Sequence, residues 1–209
     1  MAILSKTAKI QLALVISVTW LTATAFAFWW FQIKDLRAFD LNMSEVIEEK
    51  QLTTNIKQLL LNANQNLPAK GYILNFWQPG CSCNRFNIPH VKKLVAKYQS
   101  NGFKLITITR ASPGHSAQQV IEMAKEKFNS AVIIDNKNIF TGASRIPAIP
   151  SAAVFNNNGQ LNYFGPYNDG AFCGVGGTDF VEKVADLVIQ NEQPNIINTL
   201  SYGCYCNWV

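Results

Sequence analysis

Residues 10–31, IQLALVISVTWLTATAFAFWWF, run for 22 residues without a charged side chain. As an α-helix rising 1.5 Å per residue, this run spans about 33 Å, enough to cross the hydrocarbon core of a bilayer. Lys6 and Lys9 stand before it, and Trp29, Trp30 and Lys34 stand at its far end, where interfacial aromatics and cations sit. The competing reading is a cleaved secretory signal, with Ala23-Thr24-Ala25 as the small-residue site. The run continues past that site and is longer than a signal core, so the sequence predicts an uncleaved anchor. Lys6 and Lys9 on one side nearly balance Lys34 and Arg37 on the other, which leaves orientation open. The remainder of the chain then has to fold as its own body on one side of a membrane.

That remainder is long enough for one ordinary domain with some extra chain. The formal charge of +5 is modest and the basic residues are scattered. Without a basic stripe or interleaved aromatics, nucleic acid is not the expected partner. Five cysteines, four of them in close pairs, fit an oxidising compartment or a redox-active protein. An anchor with the rest exported satisfies both observations, and the odd cysteine leaves one thiol free or paired between molecules.

The elements follow from periodicity. Thr53 or Thr54 is placed to cap a helix through Leu61, with Ile56, Leu59 and Leu60 on one face. YILNFW (72–77) reads as a buried strand, and FKLITITR (103–110) and AVIID (131–135) as two more. Helical spacing recurs from about Ser82 to Tyr98, interrupted by Pro89, and again over Ala117–Phe128. SAAVFNNNGQLNYFG (151–165) reads as a hairpin around an Asn-Asn-Gly turn, and Asp179–Gln190 as a last helix with Phe180, Val184 and Leu187 inward. Strands alternating with helices, then a hairpin, predict an α/β fold with a mixed sheet covered by helices. The expected division is a tail 1–9, an anchor 10–31, a tether and helix 32–66, a domain 67–192 and a cysteine-bearing tail 193–209.

Two short copies of one pattern carry the chemistry: Gly-Cys-Ser-Cys-Asn at 80–84 and Gly-Cys-Tyr-Cys-Asn at 203–207. The first follows LNFWQPGC, which resembles the strand-to-helix junction of the thioredoxin superfamily. It is most similar to membrane-anchored thioredoxin-like thiol–disulfide oxidoreductases of the cytochrome c maturation type. Pro89 stands eight residues after Cys81, where such proteins place a helix proline. The stretch AIPSAAVFNNNGQLNYFG (148–165) resembles the family's cis-proline segment and its hairpin, and puts Pro150 in the cis-proline position. The resemblance covers roughly 70–190 and implies a thioredoxin-like three-layer sandwich. The chain departs from it in one respect. The usual motif separates its cysteines by two residues, whereas Cys83 comes one place early and Asn84 holds the usual second position. Asn75 also stands where ordinary thioredoxins bury an acid.

Two readings of the first pair stay open. Either Cys81 and Cys83 form a reversible disulfide with each other, or Cys81 works with a cysteine from elsewhere. A cysteine at a helix start faces unpaired N–H groups and the positive end of the dipole, which favours the thiolate. Cys81 is therefore the expected nucleophile, with Cys83 resolving and Arg85, Trp77 and Pro150 in support. A closed Cys-x-Cys ring is small and strained, which would tilt it toward an oxidant, an isomerase or a relay. The tail can reach back, so Cys204 and Cys206 are a candidate second redox pair, the alternative being a stapled tail tied to Cys173. Cys173 is a candidate accessory thiol. No cofactor is expected. Four thiolates in two pairs also admit a zinc- or copper-binding module, and a catalytically inactive scaffold is the third reading. The expected partners are protein thiols or disulfides. The resemblance alone points to a bacterial inner membrane with the domain in the periplasm.

Overall fold

The strand after the first loop alternates its burial partners. Tyr72, Leu74 and Phe76 enter one core cluster, and Ile73 and Trp77 enter the other. Alternate residues of a strand point to opposite faces, so a run buried along its whole length needs cover on both sides. The computed structural model supplies that cover. It describes residues 5–42, 45–63, 70–170, 177–197 and 199–208. Two units make up the chain, Met1–Leu36 and Arg37–Val209.

The first unit holds helix α1, Lys6–Phe28, capped by the Ser5 hydroxyl accepting from the Ala8 N–H, and followed by a π-helical turn over Trp29–Ile33. None of the α1 side chains is buried. Thr22 and Thr24 donate their hydroxyls to the carbonyls of Val18 and Trp20, so the helix satisfies these polar groups internally. The span Lys6–Phe31 is long and apolar enough to cross a membrane.

The second unit runs in the order β1 (Leu36–Ala38), α2 (Glu49–Asn62), β2 (Gly71–Phe76), α3 (Asn84–Gln99), β3 (Phe103–Thr109), α4 (Ala117–Phe128), β4 (Ala131–Ile134), β5 (Ser151–Asn156), β6 (Leu161–Gly165), α5 (Phe180–Ile189) and β7 (Tyr202–Cys204). Five strands form one sheet in the order β4-β3-β2-β5-β6. β2, β3 and β4 are parallel, β5 runs against them, and β6, antiparallel to β5, returns to their direction. Helix α2 packs Leu52, Ile56, Leu59 and Leu60 on the Tyr72 side. Helices α3, α4 and α5 pack Val91, Leu94, Val120, Phe128, Val181 and Val184 on the Ile73 side. The result is the expected mixed sheet between two helical layers, with the thioredoxin-like order of elements.

Three details differ from the sequence reading. Helix α2 begins at Glu49, ahead of the threonines, because the Thr54 hydroxyl donates to the Lys50 carbonyl inside the helix instead of capping it. Helix α5 buries Val181, Val184, Ala185 and Val188, so its inward face is turned from the expected one and leaves Phe180 and Leu187 half-buried. The tail, which has little periodicity, is nonetheless ordered by pairing. Ile196 bridges Tyr163 beside β6, and β7 pairs with β1 in a separate two-stranded sheet.

Candidate active site

The loop between β2 and α3 is set by three local choices. Gly80 takes φ +85°, a left-handed turn that a side chain resists. The Asn84 side-chain amide donates to the Gln78 carbonyl at 2.8 Å and ties the loop back on itself. The Asn84 N–H reaches the Cys81 carbonyl at 3.2 Å and starts the helix directly behind the cysteines. Cys81 is half-buried, whereas Cys83, the residue capping α3, is fully buried.

Opposite this loop, the Ile149–Pro150 peptide bond is cis. The Cys81 sulfur lies 3.8 Å from the Ile149 carbonyl oxygen. Ile149 also pairs with the tail as a short antiparallel bridge. Its N–H donates to the Cys206 carbonyl at 2.9 Å, and the Cys206 N–H donates back at 2.8 Å. Arg37 reinforces the junction by donating from Nε to the Tyr205 carbonyl at 3.2 Å.

These backbone contacts place the tail cysteines over the first pair. Cys81 is disulfide-bonded to Cys206 and Cys83 to Cys204, with Cα separations of 5.8 and 5.5 Å. Of the two open readings of the first pair, the structure has the second: Cys81 is joined to a cysteine from elsewhere and not to Cys83. Both Cα separations fall in the ordinary disulfide range, so neither pair needs the cramped ring that one intervening residue imposes. The strain of a Cys-x-Cys ring is therefore absent from these bonds. The tail is extended here, so Cys204, Cys206 and Trp208 share one face of it and meet the domain together.

The two bridges differ in access. Cys83 and Cys204 are buried, at 0% and 5% exposure, and the Cys81–Cys206 bridge is half-buried. A cavity of about 300 Å³ opens onto the outer bridge between Gly80, Ser112, Pro113 and Asn207. The Cys206 sulfur also lies 3.9 Å from the Cys83 sulfur, which brings the two bridges within reach of each other. The sulfurs of Cys81, Cys83 and Cys206 all lie within 4.8 Å of one another. Bridged as they are, these sulfurs are neutral. Reduced, the same three offer the soft donor set that zinc or Cu(I) takes.

Other sequence candidates fall elsewhere. Trp77 packs edge-on against Phe128 in the core on the α3 side, as a packing residue. The Arg85 guanidinium lies over the Phe86 ring, 4.5 Å from its centroid. Cys173 lies outside the described residues. Asn75 is buried and accepts a hydrogen bond from the Tyr167 hydroxyl at 2.7 Å. Sequence reasoning missed Ile149, Arg37 and Trp208. Ile149 and Arg37 act here through backbone and tail contacts that no motif announces, while an aromatic two residues past Cys206 was a legible signal.

The match with known proteins is consistent with this geometry. Thiol-disulfide oxidoreductase ResA of Halalkalibacterium halodurans is 26% identical over 97 residues, which span 46% of this chain and 54% of that protein. An uncharacterised conserved protein of Geobacillus kaustophilus superposes with a TM-score of 0.55 at 15% identity, covering 69% of this chain and 80% of its own. A hypothetical protein of Sinorhizobium meliloti 1021 gives 0.52 at 16%, covering 66% and 78%. Residues 49–208 match one family from α2 through the cysteine tail. With a cis-proline loop facing a cysteine at a strand-to-helix junction, this is a thioredoxin-superfamily chain, and it belongs to the family described as a domain of unknown function, DUF6436.

Proposed function

We propose that the protein is a membrane-anchored thiol–disulfide oxidoreductase whose two bridges form a relay between a protein partner and the buried sulfur pair. The observation that carries this reading is the pairing of an accessible Cys81–Cys206 bond with a buried Cys83–Cys204 bond, 3.9 Å apart at Cys206 and Cys83. The oxidoreductase match and the cis-proline loop support it. The apolar span ahead of the domain supports anchoring, with the domain in an oxidising space such as the periplasm.

The exchange balances as follows. A partner thiolate attacks the Cys81 sulfur, forming a partner–Cys81 bond and expelling Cys206 as thiolate. Cys206 then attacks Cys83, forming Cys83–Cys206 and expelling Cys204. The partner's second thiolate attacks its own bridged sulfur, closes the partner's disulfide and releases Cys81. The partner has lost two electrons and two protons. The protein keeps one bridge and holds two thiols, Cys81 and Cys204. Run backwards, the same steps reduce a partner disulfide. The positive end of α3 stabilises the Cys81 thiolate as the leaving group.

The test is the Cys204→Ser/Cys206→Ser double variant, assayed for oxidation of a dithiol substrate under a disulfide oxidant. Turnover should fall at least about a hundredfold, given that covalent steps split by a second nucleophile are lost together. Cys81 should remain open to alkylation. Unchanged turnover refutes the relay, and Cys81→Ser at wild-type rate refutes the oxidoreductase reading itself.

A further inference from the structure

Resting on that reading, we infer that the groove beside Pro150 takes an extended polypeptide whose cysteine is followed, two residues later, by an aromatic residue. The tail of this chain is the tethered stand-in for it. Three contacts describe the occupant. The Cys206 backbone makes both hydrogen bonds of an antiparallel bridge to Ile149, at 2.9 and 2.8 Å. Its sulfur is bonded to Cys81. Two residues on, and on the same face of the extended chain, Trp208 inserts a ring that is 9% exposed.

The ring's surroundings are aromatic and fixed. Phe76 meets it edge-on with centroids 6.0 Å apart, and Phe140 does so at 6.5 Å. The Arg110 guanidinium caps it at 5.6 Å. Phe76 and Phe140 are core side chains with their own edge-on contact, at 5.7 Å, so this wall belongs to the domain and not to the tail. The fit to Trp208 is incomplete, because its indole N–H is buried with no hydrogen-bond partner among the described residues. An unmet buried donor weakens the tail's hold. A smaller ring without that donor, such as phenylalanine, occupies most of that space without the penalty. The tail is thus held strongly by sulfur and less well by its side chain, which suits an occupant that must give way.

Displacement is an exchange between sulfurs. The peptide thiolate bonds to Cys81 and Cys206 leaves as thiolate, to be protonated by solvent. No external oxidant is needed, because the bridge supplies the electron acceptor.

The experiment uses the full-length chain in detergent, both wild type and the Cys83→Ser/Cys204→Ser variant, in which the outer bridge exchanges alone. Each is equilibrated with synthetic peptides of the form Gly-Tyr-Cys-Asn-X, where X is Phe, Trp or Ala, then quenched with acid and weighed by mass spectrometry. Dithiothreitol serves as a control thiol with no side chain to place. The equilibrium constant for the peptide–Cys81 adduct should be at least about tenfold larger for Phe and Trp than for Ala, as ring-sized pockets discriminate. In Phe140→Ala the ratio between the peptides should collapse toward one. Equal constants for all three peptides, with dithiothreitol still opening the bridge, overturn the peptide groove and leave the relay standing. A bridge that neither dithiothreitol nor any peptide opens in the folded protein overturns the relay as well. Disulfide-linked dimers in place of peptide adducts would make the occupant a second copy's tail and overturn the proposal.

Discussion

Asn75 shows how one buried side chain sets the interior near the site. It is fully buried on β2, accepts from the Tyr167 hydroxyl at 2.7 Å and donates to the Thr107 hydroxyl at 3.3 Å. Replacing it with leucine keeps the size but removes the acceptor that the Tyr167 hydroxyl uses. Such a loss costs about 1 to 3 kcal/mol. Urea unfolding of Asn75→Leu should report a midpoint lowered accordingly, and a Tyr167→Phe partner change should recover most of it. Tyr72, on the opposite face of the same strand, makes a second residue-level prediction. Burial pushes its phenol from 10.0 up to about 12. A folded pKa above the unfolded one means that the neutral form is the stabilised one. The contribution is complete below pH 10 and is lost as the pH climbs toward 12. Denaturant midpoints should therefore decline across that window in the wild type, and Tyr72→Phe should flatten the part of the decline due to this group.

At the scale of elements, the two bridges act as one staple. They close nearly the same loop, with separations of 125 and 121 residues. A single link across a loop of about 100 residues is worth about 4.7 kcal/mol in the chain-entropy account. Once one is closed, the other closes only a few further residues. Cys81→Ser/Cys206→Ser and Cys83→Ser/Cys204→Ser should each cost little, whereas removing all four sulfurs should cost about 5 kcal/mol, measured by thermal unfolding. The sequence carried the strands and helices of the sheet because their apolar spacing is local. YILNFW, FKLITITR and the Asn-Asn-Gly hairpin declare themselves within six to fifteen residues. It also carried both cysteine pairs as reactive groups. Their cross-pairing was one of two open readings, and the choice was not legible because the tail that Ile149 and Arg37 contact has no periodicity of its own. The start of α2 was misplaced for a similar reason. A threonine hydroxyl can cap a helix start or bond back to a carbonyl one turn earlier, and Thr54 does the second.

For the whole molecule, the question is where the chain sits. The span Lys6–Phe31 buries none of its described side chains and satisfies the hydroxyls of Thr22 and Thr24 internally, which suits a lipid surround. Membranes washed with alkaline carbonate should retain the full-length protein. In a Val15→Lys/Val18→Lys variant, each charge near the helix centre costs about 2.5 to 3.5 kcal/mol of insertion, and the protein should shift to the soluble fraction.

The separation of 125 residues between Cys81 and Cys206 has a consequence for how the protein is made. Synthesis proceeds at about 5 to 20 residues per second, so Cys81 emerges roughly 6 to 25 seconds ahead of its partner. During that interval any oxidant it meets can join it to Cys83 or to a stranger. The mature arrangement can be reached only after the intervening sheet has assembled and delivered the late cysteines to the early ones. A Cys81 captured in that interval reaches its mature partner only by reshuffling, so a cell lacking an isomerase should accumulate mispaired forms of this protein.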